Sequence, residues 1–158
     1  MNRFVIAAAL GASLLLSACA NGGLPPGTPY SKVAETIPPV PAVEARIYFY
    51  RDYEPYDSLA RPWIYLNDRR IGFSDPGGVY YRDVAPGAYR IKVDSEGSYW
   101  DQFKTVTLAP GDVVYAKIES LRSWDEGDQY ERDTFVVDLI DTPTAERQIA
   151  SLNYVSGS

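Results

Sequence analysis

Tyr89-Arg90-Ile91-Lys92-Val93-Asp94 alternates apolar and charged residues without a break. In an extended chain successive side chains point to opposite faces, so Tyr89, Ile91 and Val93 share one side and Arg90, Lys92 and Asp94 the other. The stretch predicts a strand with one buried face and one wet face. Outward from it, after Val43, short runs rich in Val, Ile, Tyr and Phe are broken by Gly, Pro, Asn and Asp at intervals typical of all-β domains. Further strands are expected at about residues 45–51, 62–66, 69–73, 79–83, 102–108, 112–119 and 133–140. Trp63, on one of them, is expected in the core. Tyr80 and Tyr81 must point to opposite faces, leaving one exposed.

The punctuation agrees with this pattern. Asn67-Asp68 suits positive φ at both positions and predicts a two-residue hairpin loop between Leu66 and Arg69. Val84-Ala85-Pro86-Gly87-Ala88-Tyr89 and Leu108-Ala109-Pro110-Gly111-Asp112-Val113 look alike, and each leads into a strand. In both, proline fixes φ at one turn position and glycine supplies the positive φ of a type II turn. Thr142-Pro143 reads as an N-cap followed by proline in the first helical turn, with Ala145, Ile149 and Leu152 on one stripe. Such a helix would cover a sheet edge. Together these features predict a mainly β domain over residues 43–158: a single antiparallel β-sandwich of about 7–8 strands with a short C-terminal helix.

Ahead of this domain the chain changes character. Asn2-Arg3 forms a short positive region, and Phe4 to Leu16 an apolar run too short to span a bilayer. Leu16-Ser17-Ala18-Cys19 follows, and Cys19 is the only cysteine of the 158 residues. The small pair before the thiol resembles the lipobox of bacterial lipoproteins, in which the cysteine is acylated and the chain is cut just before it. Residues 1–18 are then a signal peptide, Cys19 the lipid attachment site, and the membrane a partner through acyl chains. Ala20 follows the cysteine where enteric-type bacteria use aspartate for inner-membrane retention, which implies the outer membrane, with the domain in the periplasm or at the cell surface. Residues 19–42 hold six prolines and three glycines without a sustained apolar period, the composition of a flexible tether roughly 30–70 Å in reach.

Composition excludes several classes. Losing residues 1–18 removes Arg3 and no acid, taking the formal charge from −6 to −7. Nucleic acid is therefore not an expected partner, since phosphate binding needs a concentrated basic surface. The chain has no histidine, which removes His-based triads, histidine metal sites and the commonest general base. No Ser-x-x-Lys, Gly-x-Ser-x-Gly or phosphate-cradling glycine loop occurs. No catalytic residue and no cofactor is assigned. Carboxylates alone remain for a remote alternative, an envelope hydrolase using two acids about 5–10 Å apart.

Ala45-Arg46-Ile47-Tyr48-Phe49-Tyr50-Arg51, the Tyr65 to Gly72 hairpin and Pro86-Gly87-Ala88-Tyr89 carry a resemblance. Their order resembles the domain-of-unknown-function family 2846, a group of uncharacterised bacterial lipoproteins related in style to PEGA-type β-sandwich modules. The resemblance runs from about Ala45 to Ile118 and implies an antiparallel sandwich, an exported location and no established activity.

Two clusters remain as candidate sites. Asp125, Glu126, Asp128, Glu131 and Asp133 surround Gly127, and oxygen-rich loops of this kind bind calcium, but the spacing matches no known calcium loop and a solvated loop is the favoured reading; no metal ligand is assigned. Thirteen tyrosines and three tryptophans are many for this length, and Tyr53, Tyr56, Trp100 and Trp124 fall at predicted loops or strand ends, where rings beside carboxylates grip sugars. The leading expectation is a non-enzymatic, membrane-anchored structural or protein-interaction module of the envelope. The alternative is a glycan module, for peptidoglycan or a small molecule, using those four aromatics.

Overall fold

The computed structural model describes residues 27–55, 57–96, 102–121 and 133–155. In chain order they form β1 (Thr28–Pro29), α1 (Tyr30–Val33) with a 3-10 turn at Ala34–Thr36, β2 (Ala45–Tyr50), β3 (Trp63–Leu66), β4 (Arg69–Phe73), β5 (Gly78–Val84), β6 (Gly87–Val93), β7 (Phe103–Leu108), β8 (Val113–Leu121), β9 (Thr134–Ile140), α2 (Thr142–Ile149) and β10 (Asn153–Tyr154). All eight expected strands are present, within two residues at either end. The two additions, β1 and β10, are two residues long, too short for periodicity to reveal.

Two sheets pack face to face. One has six strands in the order β1-β10-β5-β2-β8-β9, the other four in the order β4-β3-β6-β7. Ile47, Phe49, Ala116, Ile118, Phe135 and Val137 from the first meet Ile64, Leu66, Ile91, Val93 and Leu108 from the second. The architecture is the expected mainly β sandwich with a C-terminal helix, and its four-stranded sheet is wholly antiparallel. The six-stranded sheet contains two parallel pairs, β2 with β8 and β10 with β5. Strands β2 and β8 run the same way because the chain re-enters the sheet at the end where β2 begins: Arg46 N donates to Asp112 O and Gly111 N to Glu44 O.

A third layer covers the outer face of the six-stranded sheet. Tyr48, Tyr50, Val79 and Tyr115 pack there against Ala145, Ile149 and Leu152, so the helix stripe covers a sheet face, where an edge had been expected. Burial on both sides explains why every residue of β2 is buried, where β3 in the other sheet alternates. The cap lies one residue earlier than expected. Asp141 is the N-cap and accepts from Thr144 N at 3.1 Å, with Thr142 and Pro143 already inside the helix.

The domain also begins before residue 43. Within the stretch expected to be tether, β1 pairs with β10, Tyr30 N donates to Leu152 O, and the Tyr30 ring meets Tyr48 edge-on at 6.3 Å. A side chain at Gly27 would come within 2.6 Å of Asn153 Cβ, so glycine permits this close approach. Arg46 holds the next stretch: buried, it donates to both carboxylate oxygens of Asp83 at 2.6 and 2.8 Å and to Pro38 O at 2.8 Å. Its guanidinium lies 4.0 Å from the Tyr81 ring centre, so Tyr81 is covered while Tyr80 sits in the core, and neither is free as expected of one of them.

This tyrosine layer sets a pH limit. Burial is the leading cause raising the hydroxyls of Tyr30, Tyr50 and Tyr115 above their ordinary value of 10.0, Tyr115 to about 12. A raised folded-state value means stability is fully present below pH 10 and is lost as pH rises toward 12. A circular-dichroism titration should show cooperative unfolding in that window, coincident with tyrosinate absorbance.

Both turn expectations are resolved by dihedrals. Asn67 and Asp68 take φ of 48° and 63°, closing the β3–β4 hairpin as a two-residue loop. Gly111 has φ 84° in a type II turn closed by Asp112 N to Ala109 O, whereas Gly87 at φ 154° lies outside the left-handed well, so the two look-alike segments are different turns. A Cβ on Gly111 would meet nothing within 4 Å, so Gly111→Ala isolates backbone strain. It should cost about 1–2 kcal/mol in a urea unfolding curve.

Candidate functional site

The outer face of the four-stranded sheet has no covering layer among the described residues. Its composition follows from strand alternation: on β3, Ile64 and Leu66 are buried while Trp63 and Tyr65 are only partly covered. Trp63, expected in the core, therefore lies on the outside. On β6, Ile91 and Val93 point inward and Arg90 and Lys92 outward, as the alternation predicts.

Register then assembles these side chains. Tyr65 pairs with Arg70 on one side and Lys92 on the other, and Lys92 pairs with Phe103, giving a row Arg70-Tyr65-Lys92-Phe103 across all four strands. Cations and rings alternate along it. The Arg70 guanidinium lies 4.8 Å from the Trp63 ring centre and 5.9 Å from that of Tyr65, and Lys92 Nζ lies 5.4 Å from Tyr65. Arg90 sits 4.2 Å over Phe103. Trp63 in turn packs against Phe73, tilted by 32°, with centres 3.7 Å apart. Cations over ring faces at these distances gain about 0.5–1 kcal/mol each at exposed sites.

Polar contacts fix the rest. Tyr65 OH donates to Asp94 at 2.9 Å and accepts from Arg70 Nε at 3.3 Å. Asn67 Oδ1 accepts from Arg90 N at 2.8 Å, and its amide donates to Ala88 O, so the hairpin loop is pinned onto β6. Beside it opens a shallow cleft of about 270 Å³ lined by Asn67, Ala88, Arg90, Thr105 and Thr107 on the wet side. Among the described residues the only carboxylate within 4.0 Å of these three cations is Asp68, at 4.0 Å from Arg90. The face is locally basic in a chain of net charge −6.

Tyr53 is exposed, in the loop after β2. Tyr56, Trp100 and Trp124 lie outside the described residues, as does Cys19. Of the acidic stretch 125–133 only Asp133 is described; it accepts from the Ser58 hydroxyl. Among the described residues no group of three or more His, Cys, Asp or Glu side chains is placed to hold a metal ion.

A second cleft, about 260 Å³, is lined by Arg61, Asp94, Glu96, Asp133 and Phe135 among others. Two of its acids are already engaged: Asp94 receives the Tyr65 hydroxyl and Asp133 that of Ser58. They tie a strand and a loop in place. The tyrosine surplus has a structural account as well, since Tyr30, Tyr48, Tyr81 and Tyr115 form the layer between the six-stranded sheet and the helices.

Against known proteins, the model of the family described as Protein of unknown function (DUF2846) matches residues 41–127, more than half of the chain. The chain belongs to that family. The matched segment contains β2 to β8, hence the whole four-stranded sheet and its outer face, and leaves out β9, α2 and β10. An uncharacterised protein of Haemophilus influenzae is 31% identical over 98 residues, which is 62% of this chain. The chain spans 57% of that relative's length.

Proposed function

We propose that this chain is a non-enzymatic binding module of the bacterial envelope, held to the membrane by lipid on Cys19 and engaging its partner through the outer face of the four-stranded sheet. One observation carries the reading. The six-stranded sheet is sealed by α2 and the tyrosine layer, while the four-stranded sheet presents a row of rings and cations that no other described residues cover. The signal-like residues 1–18 and the thiol at Cys19 support an exported, anchored location. No helix among the described residues is long and apolar enough to cross a membrane, so attachment in this reading rests on the acyl chains.

A photo-crosslinking amino acid placed at Lys92 in intact cells should give a reproducible adduct, and one placed at Glu146 on α2 should give none. Equal adducts at both positions, or none at Lys92, would contradict the proposal. Mass spectrometry of the envelope-purified chain should find a new N-terminus at Cys19 with an acylated sulfur. Residues 1–18 still attached, or a bare thiol, would remove the anchor.

A further inference from the structure

We infer that the ligand of this face is an acidic polysaccharide, one whose sugars carry carboxylates. The inference rests on the binding-module reading and adds the chemistry of what is bound. Three features of the face converge on it. First, Arg70 and Arg90 rest over the rings of Trp63 and Phe103, 4.8 and 4.2 Å from their centres, so both side chains are restrained before any ligand arrives. A guanidinium fixed in this way offers its N–H edge to a carboxylate with little further loss of side-chain freedom. Second, the cations are spaced. Arg70 and Lys92 stand two strands apart, roughly 10 Å by ordinary inter-strand spacing, and Arg90 and Lys92 two residues apart along β6, roughly 7 Å. This spread suits charges recurring along a chain better than one compact anion. Third, Thr105 and Thr107 on β7, with Asn67, line the cleft beside Arg90, supplying the hydroxyl and amide partners that a polyhydroxylated ligand needs.

Charge complementarity separates this occupant from others. In a chain of net charge −6 the face brings Arg70, Arg90 and Lys92 together, and the acids described beside them are Asp68, at 4.0 Å from Arg90, and Asp94, which accepts from Tyr65. A lipid surface would call for apolar side chains that protrude and insert. Here Trp63 lies against Phe73 and beneath Arg70, so its ring is not a wedge. A peptide joining by strand addition would bond the backbone of an edge strand, β4 or β7, leaving Arg90 and Lys92 on the inner strand β6 without a role.

The full chain, purified in detergent, is titrated by calorimetry with polygalacturonate, with neutral dextran, and with vesicles of phosphatidylcholine and phosphatidylglycerol in a 7:3 ratio. Polygalacturonate should bind saturably and more weakly as salt rises. The double variant Arg70→Gln with Lys92→Gln should bind at least ten-fold more weakly while still unfolding in one cooperative transition above the titration temperature, and dextran should not bind. No saturable binding to polygalacturonate, equal binding of dextran, equal binding by the variant, or binding to vesicles alone would overturn the inference. Failure here with a Lys92 crosslink still formed in cells discards the polysaccharide and leaves the binding face. Failure of both discards the face.

Discussion

Replacing Arg51 with alanine should lower stability by about 3–5 kcal/mol, a large part of the 5–15 kcal/mol by which a domain is folded. Arg51 is 2% exposed, immediately after β2, and burial pulls the pKa of its guanidinium down against the opposing pull of Asp57, Asp133 and Asp75. The group is retained because it anchors the long connection to β3. It donates to Ala60 O at 2.9 Å and to Ser58 O, and lies 4.8 Å from the Phe135 ring centre. Truncation leaves two carbonyl oxygens without their donor, at about 1–3 kcal/mol each, and opens a void beside Phe135. Arg51→Met separates the contributions. It fills much of the volume without donating, so it should recover the packing part and still lose about 2 kcal/mol or more. Thermal unfolding should report Arg51→Ala as a drop of roughly 10–20 °C.

Phe49→Ala should cost a similar amount, about 3–5 kcal/mol, for a different reason. Phe49 lies on β2, flanked by β5 and β8, is fully buried between the two sheets and stacks on Tyr80 with centres 5.3 Å apart. Removing the ring withdraws apolar contact from both sheets at once, and central strands held by hydrogen bonds on both sides cannot close the void. Phe49→Leu should cost under about 2 kcal/mol, since most of the volume remains. Urea curves for the two variants should share the wild-type slope; a lower slope would mean that the native state had loosened.

What could be read from sequence followed physical periodicity. Alternation located β6, runs rich in Val, Ile, Tyr and Phe between turn residues located the other seven expected strands, and turn chemistry placed Asn67-Asp68 and Gly111 in left-handed conformations. The helix stripe Ala145, Ile149 and Leu152 was legible too, though not where it docks, because a stripe states that a face is buried and says nothing of its partner. The parallel pairing of β2 with β8 was invisible because it depends on where the chain returns after two excursions into the four-stranded sheet. Residues 27–37 were read as tether because their prolines and glycines lack apolar period, yet one ring, Tyr30, and a two-residue pairing with β10 hold them. The same blindness governed the site. Arg90 and Lys92 were placed on a wet face from alternation alone, whereas bringing Tyr65, Trp63, Arg70 and Phe103 beside them needs the register of four strands. Trp63 was misplaced for that reason: on a four-residue strand, Trp63 and Tyr65 or Ile64 and Leu66 could equally form the inner pair, and aliphatic packing decided it.

Hydroxyl-radical footprinting of the full chain, alone and in its native envelope, tests the open face most directly. Trp63, Tyr65 and Phe103 should lose most of their oxidation in the envelope, while Val43 and Leu59, 74% and 69% exposed, keep theirs. Unchanged oxidation of the three rings, or protection confined to Val43 and Leu59, would contradict the account.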